Sequence, residues 1–511
     1  MLAMIRSAAL LGIDAYPVEC EVDIAPGLPT FQTVGLPDAS VKESKDRVKS
    51  AVSNSQFEFP IQRITVNLAP ADTKKEGPSF DLPMALGILV ASDVLNQEQV
   101  DGYWVVGELA LDGKVRSVRG CLSIALAARE HGVKGLILPA DNAREAAVVS
   151  GVPVLPVKNL REACELLMGR KKVIPVQVDL AGEFKQNSQY RLDFCDVKGQ
   201  EHAKRALEIA AAGGHNILLV GPPGSGKTIL AKRLPTILPA MSFEEAIQST
   251  RIHSIAGILG RRRALIATRP FRSPHHTISD AGLIGGGTVP KPGEVSLAHF
   301  GVLFLDELPE FNKNALEVLR QPLEDGLVTI SRVQSSLTFP AQFMLAAAMN
   351  PCPCGYYTDP TRNCTCTPPK IQKYLGRISG PLLDRIDLHI EVPALKWKEL
   401  SSADAGEPSA LIRDRVCDAR EIQMNRFKED GIYSNAQMGP KEMKKYCALD
   451  EPSQALLKAA MEKFGLSARA YDRILKVART ISDLDGERDI KANYIAEAIQ
   501  YRNLDRNLWR N

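Results

Sequence analysis

Through about residue 167 the chain alternates short apolar runs (64–68, 105–111, 136–139) with stretches of helical period such as 122–131. Short continuous apolar runs are the pattern of strands covered on both faces, and a 3.6-residue period marks a helix with one face in a core. Together they predict a compact α/β domain over residues 1–168. The opening residues 1–13 carry Arg6 and an apolar run, with no small-residue cleavage site before Asp14, so they read as a first strand and not as a signal peptide. The pattern lapses over 169–190, where Arg170, Lys171 and Lys172 lead into a Val/Pro/Gln/Asn segment without helical period, predicting an interdomain linker. A second α/β block is predicted over 191–393. Its apolar strands 217–220, 302–305 and 343–349 each end in polar residues, and ligands of doubly wound sheets collect at such strand ends. After a polar stretch at 401–408, residues 411–510 are rich in Ala, Leu, Lys and Glu with few Gly or Pro, so 394–511 reads as a linker and a small helical lid.

Composition adds bounds. A chain of 511 residues is long enough for two to four cores, and 45% hydrophobic with 24% charged residues excludes disorder as the dominant state. No apolar segment is long enough to span a bilayer, so no membrane partner is expected. The net charge of +3 gives no global field for nucleic acid, and any such affinity must come from local basic patches such as 261–263. Six of the ten cysteines are scattered, which with no export signal predicts a reducing, cytoplasmic setting.

The candidate chemistry starts at Gly221-Pro222-Pro223-Gly224-Ser225-Gly226-Lys227-Thr228, which lies between an apolar strand and a helical run. Its glycines let amide N–H groups converge on phosphate oxygens at a helix N-terminus; Lys227 neutralises β/γ charge and Thr228 offers a hydroxyl to Mg2+. The strand 302–305 ends in Asp306-Glu307, with Asp306 suited to the magnesium shell and Glu307 to polarising water. The third strand ends in Asn350, whose amide could orient that water; capping the turn before Pro351 is the alternative.

These motifs resemble the AAA+ branch that holds magnesium-chelatase ATPase subunits, minichromosome-maintenance helicases and the ComM/YifB family. The stretch 196–200, with Val197 and Gln200, resembles that branch's adenine-side segment. Residues 292–299 resemble the end of its helix-2 insert, and 327–340 its pre-sensor-1 hairpin, with turn residues 334–336 and Arg332 near the tip. The segment 380–387 is similar to the one carrying the arginine finger, making Arg385 the candidate, with an ion pair to Asp384 or Asp387 as the alternative. Arg469, opening a lid helix, resembles sensor 2. A finger supplied in trans implies a homo-oligomeric ring, by family a hexamer.

Cys352, Cys354, Cys364 and Cys366 form two C-x-C pairs around a loop with little apolar material, a donor set for one structural Zn2+; unligated thiols or a redox pair are the alternatives. The ComM/YifB family resembles the chain here. In the first domain, 75–79 and 107–139 resemble Lon-type serine–lysine proteases, but the family's catalytic lysine falls on Leu122. Without that base Ser79 is a poor nucleophile, and it reads as a helix cap on a Lon-like scaffold. Adjacent His275 and His276 read as a loop contact in the insert region, since neighbours on a strand face opposite ways.

The resemblance spans nearly the whole chain and implies an ATP-driven hexameric motor on single-stranded and branched DNA, promoting branch migration during natural transformation, in company with recombination proteins. A remodeller of protein substrates and a chelatase-type ATPase are the other readings.

Overall fold

The computed structural model describes residues 1–260, 263–287, 290–332, 335–357, 359, 362–394, 406–502 and 504, with the side chains of Arg332 and Ser335 also outside the description. The chain forms two compact units, one of residues 1–187 with 246–267, the other of 188–245 with 268–511.

The first unit is built on a seven-stranded mixed sheet in the order Thr30–Val34, Arg63–Ala69, Asp14–Ala25, Leu2–Leu11, Tyr103–Val105, Gly135–Pro139, Val154–Val157. The opening segment is indeed a strand, paired over its whole length with Asp14–Ala25. Against the sheet lies Asp81–Ala91, every residue of which is buried, as expected of a helix apolar all round. Its one charge, Asp81, is held by Arg47 Nε at 2.7 Å and by Ser44. The apolar run 105–111 is not one strand. It breaks at Val106 and Gly107, where Gly107 N donates to Ser79 O at 2.9 Å and a Cβ on Gly107 would lie 2.9 Å from Val115 Cγ1.

Two further expectations change. Leu180–Asn187, read as irregular, is a helix. Residues 246–267 belong with this first unit although they lie within the motif-bearing block of the sequence. They are fixed by Ser254 Oγ, which accepts from Gly120 N at 2.9 Å and donates to buried Glu145, and by Arg251 Nη2 on Ile13 O at 2.8 Å.

The second unit has a five-stranded all-parallel sheet in the order Phe271–Arg272, Val302–Leu305, Met344–Met349, Ile217–Val220, Leu388–Glu391. The three central strands are buried along their length. The helices Ser409–Arg426, Glu451–Phe464, Ala468–Leu484 and Ala492–Gln500 form the C-terminal part, and their apolar faces share one core with the sheet. The mixed α/β class and the helical C-terminus thus agree with the sequence reading.

Candidate functional site

The strands Val302–Leu305, Met344–Met349 and Ile217–Val220 run parallel in register, Leu305 opposite Ala347 and Val220 opposite Met349. The residues that follow them therefore emerge along one edge of the sheet. Gly224 and Gly226 adopt left-handed φ of 77° and 89°, which an L side chain tolerates poorly, and Gly226 caps the helix Lys227–Ile237. Gly221 is required for a different reason: a Cβ there would lie 2.1 Å from the carbonyl oxygen of Val392.

Lys227 Nζ donates to Gly221 O and Pro222 O at 2.8 Å each, and lies 3.3 Å from Asn350 Oδ1 and 3.4 Å from Ser225 Oγ. Burial lowers its pKa to about 8, against the opposing pull of Asp306 and Glu307. Thr228 Oγ1 donates to Asp306 Oδ2 at 2.7 Å. Glu307 has φ of 54° and an exposed side chain, with His276 Nδ1 3.5 Å from its Oε2. Gln200, also left-handed, donates from Nε2 to Ser225 O at 2.5 Å, and Val197 is buried four residues ahead of the helix that Gln200 caps. Phosphate-loop, carboxylate and amide residues from three strands thus meet at one place. The His276 contact with Glu307 was not legible as such; the sequence showed only a loop position.

The four clustered cysteines come together, their sulfur atoms all within 4.8 Å of one another, with 352–354, 352–364 and 354–364 separations of 3.3, 3.7 and 3.6 Å. Four sulfurs at tetrahedral zinc, with Zn–S near 2.3 Å, stand about 3.8 Å apart. The donor set therefore fits a structural Zn2+. Burial opposes ionisation of Cys354, but amide N–H groups of Tyr356 and Thr365 and the neighbouring thiols bring it down to about 5. The cluster touches the phosphate loop, since a Cβ on Gly355 would lie 2.5 Å from Pro223 Cδ.

Arg385 and Arg469 meet elsewhere. They line one cavity of ≈ 120 Å³ with Glu324, Asp384, Asp472, Arg473 and Lys476. Arg469 Nη1 reaches Asp384 Oδ2 at 3.3 Å, and Arg473 Nη1 reaches buried Asp387 Oδ1 at 2.9 Å. Arg385 does form an intrachain ion pair, but with Glu324 and not with either neighbouring aspartate. Its position follows from the sheet. It precedes Leu388–Glu391, whose first residue pairs with Ile217, so Arg385 lies at the edge where strand Ile217–Val220 begins while the phosphate loop lies where it ends. Four strand residues separate the two edges by roughly 13 Å. Arg473 and Lys476 were missed, although their spacing of four and seven residues from Arg469 puts all three on one helix face.

The hairpin is present as Leu327–Arg332 paired with Ser335–Pro340. Arg332 pairs with Ser335, so Ser335 and Ser336 are strand residues and not turn residues, and Gln334 lies outside the described residues. The Arg332 side chain, Arg261 and Arg262 also lie outside them. In the first unit Leu122 is fully buried, with its N–H donated to Glu145 Oε1 at 2.9 Å. Ser79 is not a cap: the helix after it starts at Asp81, with Phe80 at its N-cap and no side-chain capping bond.

Comparison with known proteins is consistent with this geometry. The family described as magnesium chelatase, subunit ChlI, matches residues 193–400; subunit ChlI of Mg-chelatase matches 20–142; and the ChlI C-terminal family matches 406–502. The chain is 48% identical to competence protein ComM of Haemophilus influenzae over 98% of this chain and 97% of that protein. It is 44% identical to the uncharacterized protein YifB of Escherichia coli over 99% and 98%. A shorter likeness, 32% identity over 26% of each chain, relates it to Lon protease 2 of Bacillus subtilis.

Proposed function

The chain belongs to the ComM/YifB family of magnesium-chelatase-like AAA+ proteins, and from that premise we propose that it is an ATP-hydrolysing DNA motor that promotes branch migration of recombination intermediates. The observation that carries the ATPase part is the convergence of Lys227, Thr228, Asp306 and Asn350 within hydrogen-bond reach. In this reading Lys227 lies against the β/γ-phosphates, and the backbone from Gly221 to Gly226 cradles them. Thr228 and Asp306 would hold Mg2+, which supplies neutralisation of charge developing on the phosphates. Glu307 orients and polarises the attacking water, Asn350 fixes its direction, and Val197 and Gln200 border the adenine side.

Arg385 and Arg469 act on the nucleotide of a neighbouring copy. What supports this is their placement at the opposite sheet edge from their own phosphate loop, in a shared pocket with Arg473 and Lys476. A site completed in trans implies a closed ring, by family a hexamer. The cysteine cluster holds a structural Zn2+ beside the phosphate loop. The Lon-like unit serves as scaffold without peptidase chemistry, given Leu122 where the base would stand.

The DNA part draws support from the hairpin that pairs 327–332 with 335–340 and from a relative named as a competence protein; in this reading the activity serves natural transformation in the cytoplasm, alongside recombination proteins. Phosphate contacts from Arg332 and similar residues would make binding salt-sensitive. The test is steady-state ATP hydrolysis with single-stranded and forked oligonucleotides at two salt concentrations, with Lys227→Ala as control. Stimulation by DNA that weakens with salt is expected. Hydrolysis indifferent to DNA, with no binding by anisotropy, removes the DNA assignment in favour of protein remodelling or a chelatase-type activity.

A further inference from the structure

Arg385 sits in the wall between two adjoining cavities, and Glu324 lines both. The arginine side chain is almost wholly buried. One guanidinium nitrogen is held by Glu324, Nη1 donates to Pro381 O at 2.6 Å, and buried Nε has no hydrogen-bond partner among the described residues. Glu324 is itself half exposed and lies in the last turn of the helix Arg320–Asp325. That helix ends at Gly326 with left-handed φ of 65°, and Leu327 begins the hairpin in the next position. Ala341 N donates to Gly326 O at 2.8 Å, closing the hairpin base on the same glycine.

We propose that Glu324 is a positioning residue that latches Arg385 inside its own subunit and couples the 327–340 hairpin to the nucleotide site of the neighbour. The proposal rests on the trans-acting role given to Arg385 above. A guanidinium paired with a carboxylate and retracted into a pocket cannot also stabilise charge on another subunit's phosphates. Release requires Glu324 to move, and only two residues separate it from the first pair of the hairpin, Leu327 with Pro340. A load on the hairpin therefore tilts the end of the helix and opens the pair, with Gly326 as the pivot. The accepting phosphate then takes the place of the carboxylate, an exchange of one charge-assisted partner for another.

The test compares Glu324→Gln, Glu324→Asp and Arg385→Ala in the full chain, measuring kcat and KM for ATP without DNA and with a saturating single-stranded oligonucleotide. Glu324→Gln should raise the DNA-free kcat on the order of tenfold, the size of one charge-assisted bond to a partly exposed partner, with KM unchanged. Stimulation by the oligonucleotide should shrink by the same factor, and Glu324→Asp should restore part of the wild-type ratio. A thermal melt matching wild type separates this from loss of folding. A DNA-free kcat that is unchanged or lower in Glu324→Gln overturns the latch. Full activity in Arg385→Ala instead overturns the trans-acting reading on which the latch rests, so the two failures are distinguishable.

Discussion

Lys227 gives a prediction that links the phosphate loop to pH. Its pKa is lowered from 10.5 to about 8 by burial, which at 1.36 kcal/mol per unit is a penalty of about 3 kcal/mol on the charged form. Because the folded value lies below the unfolded one, the penalty is fully present below about pH 8 and fades as pH rises toward 10.5, so this group makes the nucleotide-free protein more stable across that window. Nucleotide phosphates reverse the balance by supplying a charge partner at Nζ, which keeps the lysine protonated in the complex. Above about pH 8 binding must therefore take up a proton, and affinity should fall about tenfold per pH unit, giving roughly tenfold weaker binding at about pH 9 than at about pH 7. Anisotropy of a fluorescent, non-hydrolysable ATP analogue at fixed Mg2+ and ionic strength reads this directly. Lys227→Met should bind weakly at neutral pH and lose the slope. A wild-type affinity flat across the range, or the same slope in Lys227→Met, refutes the reasoning.

Arg385→Ala and Lys227→Ala should each lose hydrolysis, the first by about 10³-fold or more, yet mixed together they should recover part of it because an intact site can form between unlike neighbours; no recovery on mixing contradicts completion in trans. Cys352→Ser should lose bound zinc by elemental analysis of the native protein, and nucleotide affinity should drop with it because Gly355 bears on Pro223; unchanged zinc content rules out the cluster as the site. Gly221→Ala puts a methyl 2.1 Å from the Val392 carbonyl and should cost about 1–3 kcal/mol of overpacking, read as a lower unfolding midpoint together with weakened ATP binding. A variant that melts and binds as the wild type does would show that the strands separate there without cost.

The edge proposed to bind nucleotide could be picked out in the sequence because its residues are written locally. Residues 221–228 are consecutive, and Asp306, Glu307 and Asn350 follow apolar strands whose parallel register brings them together. The cysteine cluster was legible for the same reason, its four thiols lying within fifteen residues. What stayed hidden depends on distant partners. Glu324 and Arg385 are 61 positions apart, and Asp384 and Arg469 are 85 apart, so neither pair has a sequence signature. The grouping of 246–267 with the first unit rests in part on Ser254 and Glu145, separated by 109 positions. Leu180–Asn187 was missed because the helix buries no residue and so shows no apolar period. The apolar run 105–111 misled in the opposite direction: its residues are mostly core, but Gly107 turns away to meet Ser79.

The central claim is that this site drives movement of DNA, and branch migration of a synthetic three- or four-way junction tests it most directly, with fluorescent strands reporting exchange and ATP hydrolysis followed in the same tube. The account predicts ATP-dependent migration that is absent in Lys227→Ala and accompanied by DNA-stimulated hydrolysis. Vigorous hydrolysis with a junction that neither binds nor migrates would contradict it.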